Sequence, residues 1–223
     1  MGHPFRASAP TRSSPAPIDI LRTSGVRVEE IELAPAKTIA SVTAIRDGDF
    51  VGFAAATSFE AELARDEAAK TAKWKTAEHP SSDDLYSYLR SHAASQRPRR
   101  DTKGSPDETF KTAHKVLREV YQIAYIQHAP MEPRAAVAEW ENGKLTVWTG
   151  TQQPSRVREE LSRTFHLADN DVRVIVPDTG GGFGGKHSGE VAVEAARLAL
   201  AAKKPVSVRW SREDEFTWAY FRP

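Results

Sequence analysis

The chain has 223 residues, which is long enough to bury a sizeable core in one or two domains. Its 31 basic and 30 acidic residues nearly cancel, so no overall field would attract nucleic acid or an anionic membrane. Without cysteine the chain can hold no disulfide, thiolate nucleophile or iron–sulfur cluster. It has no apolar run near the roughly 20 residues of a membrane span and no recognisable signal peptide, so we expect a cytoplasmic protein.

The first elements predicted are a loop and a hairpin. Residues 1–17 are rich in Pro, Ser, Ala and Arg and carry too little apolar surface to offset the entropy lost on ordering. Further along, Asp47-Gly48 lies between two β-rich runs and suits the positive φ angles of a hairpin turn.

A helix is predicted directly after this hairpin. Thr57 and Glu60 have the spacing of a capping box, and Phe59 and Leu63 recur at helical spacing. The hairpin and the helix together predict a small α+β unit that ends near Trp74.

A polar stretch separates this unit from the rest of the chain. Residues 76–108 predict a linker with one short helix at 82–92. The linker contains a basic run that lacks interleaved aromatic residues and adjoins Asp101, which favours a solvated loop over a phosphate or nucleic-acid site. This run consists of Arg97, Arg99, Arg100 and Lys103.

Beyond residue 110 the pattern becomes β-rich. Residues 118–133 are expected to be extended, and Asn142-Gly143 between two apolar runs is the strongest hairpin signal in the chain. Pro154 suits the first turn of a helix, whose buried stripe would consist of Val157, Leu161 and Phe165.

A glycine-rich loop follows the next predicted strand. Five of the six residues from 180 to 185 are glycine, far more than a tight turn requires. The loop lies between the strand DVRVIV and a helix predicted at 189–202, and the strand PVSVRW follows that helix. This order is typical of a βαβ unit, so the fold class is α+β, with mixed helices and strands.

Two nucleotide-binding patterns fit this loop in part. Gly180, Gly182 and Gly185 match G-x-G-x-x-G, but the acidic residue expected about 20 positions later is missing. Gly180, Gly185 and Lys186 match the start of a P-loop, but His187 replaces the hydroxyl residue that binds Mg²⁺. A P-loop-like or Rossmann-like nucleotide-binding module stays open as the alternative function.

Three motifs in register, HAPMEPRAAVAEW, WTGTQQP and DTGGGFGGKHSGE, resemble the molybdenum-binding subunit of the xanthine dehydrogenase and aldehyde oxidase family. The residues after them are similar to the branch that includes isoquinoline 1-oxidoreductase β subunits. The resemblance is strong over 110–223, and residues 46–75 more loosely resemble the end of an α/β hammerhead domain. It implies a loop and a partial hammerhead-like unit over 1–75, a linker over 76–108, and the first part of a molybdopterin-binding domain over 109–223.

The resemblance implies part of a molybdenum hydroxylase, which oxidises an aldehyde or N-heteroaromatic carbon with oxygen from water. The cofactor would be molybdopterin, either plain or as the cytosine dinucleotide. Electrons would pass to [2Fe-2S] clusters on a small partner subunit, because this chain has no cysteine to hold them. The remainder of the molybdenum subunit would be a second partner, and the substrate a small aldehyde or heteroaromatic compound.

The resemblance also assigns site residues. Gln152 would lie beside the oxo ligand of the metal, where a neutral amide donates a hydrogen bond without adding charge. His187 would face the substrate in place of the acidic residue of xanthine-oxidising relatives, which argues against a purine. The residues that would bring the backbone close to the cofactor are Gly181, Gly182, Phe183, Gly184 and Gly185. No catalytic residue and no metal ligand is assigned to this chain.

Other roles stay open for several of these residues. Gln152 could cap the helix that starts near Pro154, and Lys186 could hold a phosphate or a carboxylate. His128, Met131 and Glu132 favour a structural loop over a metal site, since two further ligands are missing. Trp140, Trp148 and Trp210 favour core positions.

The related subunits are several times longer than this chain. Their glutamate general base near the C-terminus has no counterpart here, and the resemblance continues to the last residue. We therefore expect a fragment, a truncated product or one piece of a split subunit, inactive alone. A periplasmic location would need an export signal on a partner or on a missing segment.

Overall fold

The computed structural model describes residues 16–21, 26–39, 41–76, 78, 80–93 and 103–221. Its internal contacts divide the chain into two units. The first unit takes in the described residues up to Thr76 and from Ile126 onward, and the second takes in those between 77 and 125. No helix among these residues is long and apolar enough to span a bilayer.

The first unit combines strands and helices in nearly equal measure. Its N-terminal elements are β1 (Ala16–Leu21), β2 (Val26–Glu30), α1 (Ala34–Lys37), β3 (Thr43–Asp47), β4 (Phe50–Ala54), α2 (Ser58–Ala69) and β5 (Lys73–Thr76). The second unit contains α3 (Leu85–Ser91) and α4 (Pro106–Thr112). The first unit then resumes with β6 (Ala135–Glu141), β7 (Lys144–Thr149), α5 (Pro154–Phe165), a 3₁₀ turn (Asp169–Asp171), β8 (Val172–Ile175), α6 (Glu190–Ala202), β9 (Val206–Arg209) and α7 (Arg212–Thr217).

A seven-stranded sheet runs through the first unit in the order β3-β4-β1-β9-β6-β7-β8. The pairs β1–β9 and β7–β8 are parallel, and the other neighbours are antiparallel. The last strand in the sequence, β9, therefore lies in the middle of the sheet. Strands β2 and β5 form a separate antiparallel pair. The mixed class predicted from the sequence is confirmed.

Helices cover both faces of this sheet. On β4, Val51 and Phe53 pack with the alanines of α2, whereas Gly52 faces α6. A Cβ on Gly52 would lie 2.7 Å from Leu198 Cδ2, so only a glycine lets α6 approach this closely. The side chains that α6 buries are small or branched, which suits a helix packed flat on a sheet: Val191, Ala192, Ala195, Ala196, Leu198 and Ala199.

Several local predictions are confirmed. Asn142 and Gly143 both have positive φ, at 51° and 78°, and form the two-residue turn between β6 and β7. Helix α5 begins at Pro154, and Val157 and Leu161 are fully buried. Thr57 caps α2 as half of a complete capping box. In the first hairpin the turn is displaced by one residue, because Asp47 ends β3 and pairs with Phe50.

The buried face predicted for α2 is wrong. Phe59 and Leu63 share one face of the helix, but their side chains are 71% and 38% exposed. The face that packs on the sheet consists of Ala61, Ala64 and Ala68. Small side chains allow the helix axis to lie close to the strands, which bulky residues at those positions would prevent.

The extended segment predicted over residues 118–133 forms no strand. Val120, Tyr121 and Ile123 are between 62% and 84% exposed. High β-propensity stabilises a strand only where a neighbouring strand pairs with it, and none of the described residues forms a ladder with this stretch. The sequence also missed α4, which Ser105 caps.

The N-terminal predictions meet the structure only at their end. Ala16 and Pro17, placed in the loop over 1–17, belong to β1 instead. Residues 1–15, together with Arg97, Arg99 and Arg100 of the basic run, lie outside the described residues. Strand β1 was missed because its pairing with β9 joins residues almost the whole chain apart.

Candidate cofactor-binding site

The glycine loop connects the end of β8 with the start of α6. Gly181 and Gly184 have φ angles of 88° and 95°, a region that residues with a side chain rarely adopt. Phe183 between them also has a positive φ, 53°, and its side chain is 71% exposed. The N–H of Gly185 donates to Gly182 O at 2.7 Å and closes a tight turn. Backbone strain of this kind at a non-glycine residue is typical of ligand-binding loops.

Gln152 joins the loop after β7 to this glycine loop. Its Oε1 accepts hydrogen bonds from the N–H groups of Gly184 at 3.0 Å and Lys186 at 3.4 Å. Its own backbone N–H donates to Lys186 O at 2.9 Å. Since both partners of the side chain are donors, the oxygen must face them, and the Nε2 amino group is left as a donor on the other side. No hydrogen bond of Nε2 to another described residue is formed.

The alternative role of Gln152 as a helix cap is wrong. The N-cap of α5 is Gln153, and no side chain caps that helix. The nearby hydroxyl of Thr151 instead donates to Lys186 O at 3.0 Å. Both residues after the hairpin strand are therefore engaged with the glycine loop and not with α5.

Glycines are required at two further points by the close approach of side chains. A Cβ on Gly182 would lie 2.5 Å from Gln152 Oε1, and a Cβ on Gly185 would lie 2.9 Å from His128 Cβ. Contacts this short do not occur between real atoms, so both positions must stay free of a side chain. The loop is therefore packed against the two other family-like motifs, of which His128 and Gln152 are members.

Three consecutive backbone donors on this loop have no acceptor in the described part of the chain. They are the N–H groups of Gly181, Gly182 and Phe183. Successive free N–H groups form a concave site that favours the oxygen atoms of an anionic group. Together with the amino group of Gln152, they supply only donors, and the residues present therefore fit a molybdopterin with its phosphate.

Lys186 does not occupy the position of a P-loop lysine. Its side chain is 2% exposed, and Nζ lies 2.8 Å from Glu132 Oε2. The same carboxylate oxygen accepts from Gly180 N–H at 2.7 Å. The charge of Lys186 is thus directed to a carboxylate, as one of the sequence alternatives stated, and Glu132 ties the HAPMEP motif to the glycine loop. No group of three or more potential metal ligands occurs among the described residues.

His187, the residue predicted to face the substrate, is half-buried at the end of the loop. Its N–H donates to the hydroxyl of Tyr220 at 3.4 Å, and that hydroxyl donates in turn to Gly184 O. The ring of Tyr220 packs edge-on against His128, with ring centroids 5.5 Å apart. The C-terminal segment therefore contacts the same loop.

Sequence reasoning missed a buried ion pair beneath the loop. Arg134 Nη1 lies 2.5 Å from Glu215 Oε2, and the two side chains are 2% and 0% exposed. Arg134 Nη2 also donates to Gly185 O. Arg134 directly follows the HAPMEP motif, but its partner lies 81 residues later. No local pattern could have connected the two residues.

The family model described as the molybdopterin cofactor-binding domain matches residues 90–223. One of the named subunits of the nicotinate dehydrogenase of Pseudomonas putida is 29% identical over 200 residues, which are 90% of this chain and 17% of that protein. The molybdenum-binding subunit PaoC of the aldehyde oxidoreductase of Escherichia coli is 36% identical over 132 residues, which are 57% of this chain and 18% of that protein. The β subunit of isoquinoline 1-oxidoreductase of Brevundimonas diminuta is 35% identical over 102 residues, which are 45% of this chain and 13% of that protein.

Among solved structures, quinoline 2-oxidoreductase from Pseudomonas putida 86 superposes with a TM-score of 0.73 at 20% identity, over 95% of this chain and 33% of that chain. This likeness shows a shared fold. The chain thus spans less than a fifth of the nicotinate dehydrogenase and aldehyde oxidoreductase subunits, at 17% and 18% of their lengths. The nucleotide-binding alternative is not supported, since the family model and these relatives are molybdenum proteins. The chain belongs to the molybdopterin cofactor-binding domain family, as part of the molybdenum subunits of the xanthine dehydrogenase and aldehyde oxidase family.

Proposed function

We propose that the chain supplies part of the molybdopterin cradle of a molybdenum hydroxylase that oxidises an aldehyde or an N-heteroaromatic carbon with oxygen from water. The observation that carries this proposal is the orientation of Gln152. Its amide oxygen is held by the glycine loop, so its amino group is the part presented to a ligand. The chain acts with the remainder of the molybdenum subunit and is inactive alone.

Each residue of the loop has a stated task. The N–H groups of Gly181, Gly182 and Phe183 bind anionic oxygens of the cofactor, and Gln152 Nε2 donates a further hydrogen bond without adding charge. When bound, the molybdenum cofactor supplies the two-electron oxidation chemistry. Gly184 and Gly185 keep the backbone in the conformation that this approach requires, and Gly182 leaves room for Gln152.

Substrate recognition is proposed for His187 and Phe183. The imidazole of His187 can donate or accept a hydrogen bond, whereas an acidic residue at this point would select a substrate rich in donors. The exposed ring of Phe183 provides an apolar surface for an aromatic substrate. A neutral aldehyde or heteroaromatic compound suits this pair better than a purine.

Electrons leave through [2Fe-2S] clusters on a small partner subunit in this proposal, because the chain has no cysteine. We propose the cytosine dinucleotide as the cofactor form to test first, and release of cytidine monophosphate on mild hydrolysis would distinguish it from plain molybdopterin. The three-part division into 1–75, 76–108 and 109–223 stays part of the proposal.

The test is cofactor retention by the native assembly. The tagged chain is expressed with its neighbouring genes in a host that makes molybdopterin, and molybdenum and pterin are measured in the purified complex. We expect both in near-equimolar amounts. Gln152→Ala should increase cofactor loss on dialysis about tenfold, which corresponds to about 1.4 kcal/mol for one hydrogen bond.

Gln153→Ala is the matched control, because this neighbouring glutamine makes no side-chain cap. It should retain the cofactor like the unmodified chain. A complex without molybdenum and pterin would refute the proposal. Saturable ATP or NAD binding by the isolated chain, abolished in Gly182→Val, would favour the nucleotide-binding alternative instead, and substrate oxidation by the isolated chain would refute its inactivity.

A further inference from the structure

Arg134 is a buried cation at the base of the glycine loop, directly before β6. Its backbone N–H donates to Glu215 Oε1 and its Nη1 to Glu215 Oε2, both at 2.5 Å. Its Nε lies 3.9 Å from a second carboxylate, Glu190 Oε2. The guanidinium carbon lies 5.1 Å from the ring centroid of Trp210 and 5.7 Å from that of Tyr220. The side chain is therefore held from several directions.

A buried ion pair of this kind adds little net stability, since the cost of removing both charges from water offsets their attraction. Its value must lie in what the fixed guanidinium does next. Arg134 Nη2 donates to the carbonyl oxygen of Gly185, in the middle of the loop. A guanidinium can reach Glu215 and Gly185 together because its donors form a rigid planar fork.

The bond to Gly185 O fixes one peptide plane. In a trans peptide the C=O and the following N–H point in opposite directions. Holding the carbonyl of Gly185 toward Arg134 therefore directs the N–H of Lys186 away from it, and that N–H donates to Gln152 Oε1 at 3.4 Å. If this peptide rotated, a carbonyl oxygen would face the amide oxygen of Gln152, and the amide would turn over.

We propose that Arg134, held by Glu215, is a positioning residue that sets the orientation of the Gln152 amide through the peptide between Gly185 and Lys186. The inference rests on the proposed function in taking Gln152 as the residue that faces the cofactor. The mechanical link itself involves no cofactor, so it can be measured on the cofactor-free chain.

The experiment is NMR of the 15N-labelled full chain. The double variant Arg134→Met/Glu215→Leu removes the ion pair without leaving an unpaired buried charge. We expect the side-chain amide resonances of Gln152 and the N–H resonance of Lys186 to shift. Trp140→Phe is the control, because it removes a hydrogen bond to Ala196 O, in α6, and leaves the loop intact; these resonances should stay unchanged in it.

Unchanged Gln152 and Lys186 resonances in a folded double variant would overturn the proposal. Should that variant not fold, Arg134→Lys provides the same test, since an ammonium keeps the charge but cannot form the planar fork. A complex that lacks molybdenum would refute the proposed function and leave this result standing. Shifts in both the double variant and Trp140→Phe would show general loosening and would equally overturn the proposal.

Discussion

Gly182→Ala is expected to displace Gln152 without disturbing the backbone. The φ of Gly182 lies outside the left-handed region, so alanine can adopt it. The added Cβ would lie 2.5 Å from Oε1, 3.0 Å from Cδ and 3.3 Å from Cγ of Gln152. These atoms form the far end of a flexible side chain, so the glutamine moves and loses its hydrogen bonds from Gly184 and Lys186.

The magnitude follows from those two bonds. Each contributes about 0.5–1.5 kcal/mol net, so their loss costs about 1–3 kcal/mol. Replacing glycine with alanine restores about 0.4–1 kcal/mol by restricting the unfolded chain. In a Gln152→Ala background the steric conflict is absent, and Gly182→Ala should then be neutral or slightly stabilising. The expected coupling between positions 152 and 182 is therefore about 1–3 kcal/mol.

Urea unfolding of the unmodified chain, both single variants and the double variant measures this coupling, with tryptophan fluorescence as the signal. Gln153→Ala replaces Gln152→Ala in a control cycle and should show no coupling. Additivity within about 0.5 kcal/mol in the Gln152 cycle would show that the two residues do not conflict, and would refute the geometry inferred for the loop.

Three further substitutions test the fold. Leu161→Ala removes a fully buried side chain and should lower the free energy of unfolding by about 2–5 kcal/mol in urea melts. Thr57→Ala breaks the capping box of α2 and should cost about 1 kcal/mol in the same assay, whereas an unchanged midpoint would contradict the cap. The Lys73 ammonium, hydrogen-bonded at 2.6 Å to Glu30, lowers the pKa of that carboxyl, so the pair's stabilisation is lost as the pH falls through the lowered pKa. Lys73→Met should raise the pKa of Glu30 toward its ordinary value in a 13C NMR titration, and an unmoved pKa would exclude the pair in solution.

The features that the sequence predicts well are local ones. Asn142-Gly143 specifies its turn through backbone conformations that few residues adopt, and Thr57 and Glu60 specify a cap across one helical turn. Gln152 and the glycine loop could be connected before the structure was known only through the resemblance of their motifs. No spacing rule predicts that a side chain after β7 accepts hydrogen bonds from a loop after β8.

The features that the sequence does not predict depend on distant partners. Phe59 and Leu63 show helical spacing but cannot indicate that the alanine face is the one that packs on the sheet. Arg134 and Glu215 are strongly polar residues, and hydropathy places such residues at the surface unless their pairing is known. Their burial follows from contacts between segments 81 residues apart.

The central place of β9 constrains how the chain can fold during its synthesis. Strands β1 and β6 flank β9 in the sheet, but the ribosome produces β9 only after both of them. At about 5–20 residues per second, the roughly 150 residues between β4 and β9 take about 8–30 s to appear. Throughout that time β1 presents an unpaired edge, and β6 does so from its own synthesis onward, so both are templates for aggregation. A nascent chain of this kind is a natural client for a chaperone that shields strand edges until the final strand inserts between them.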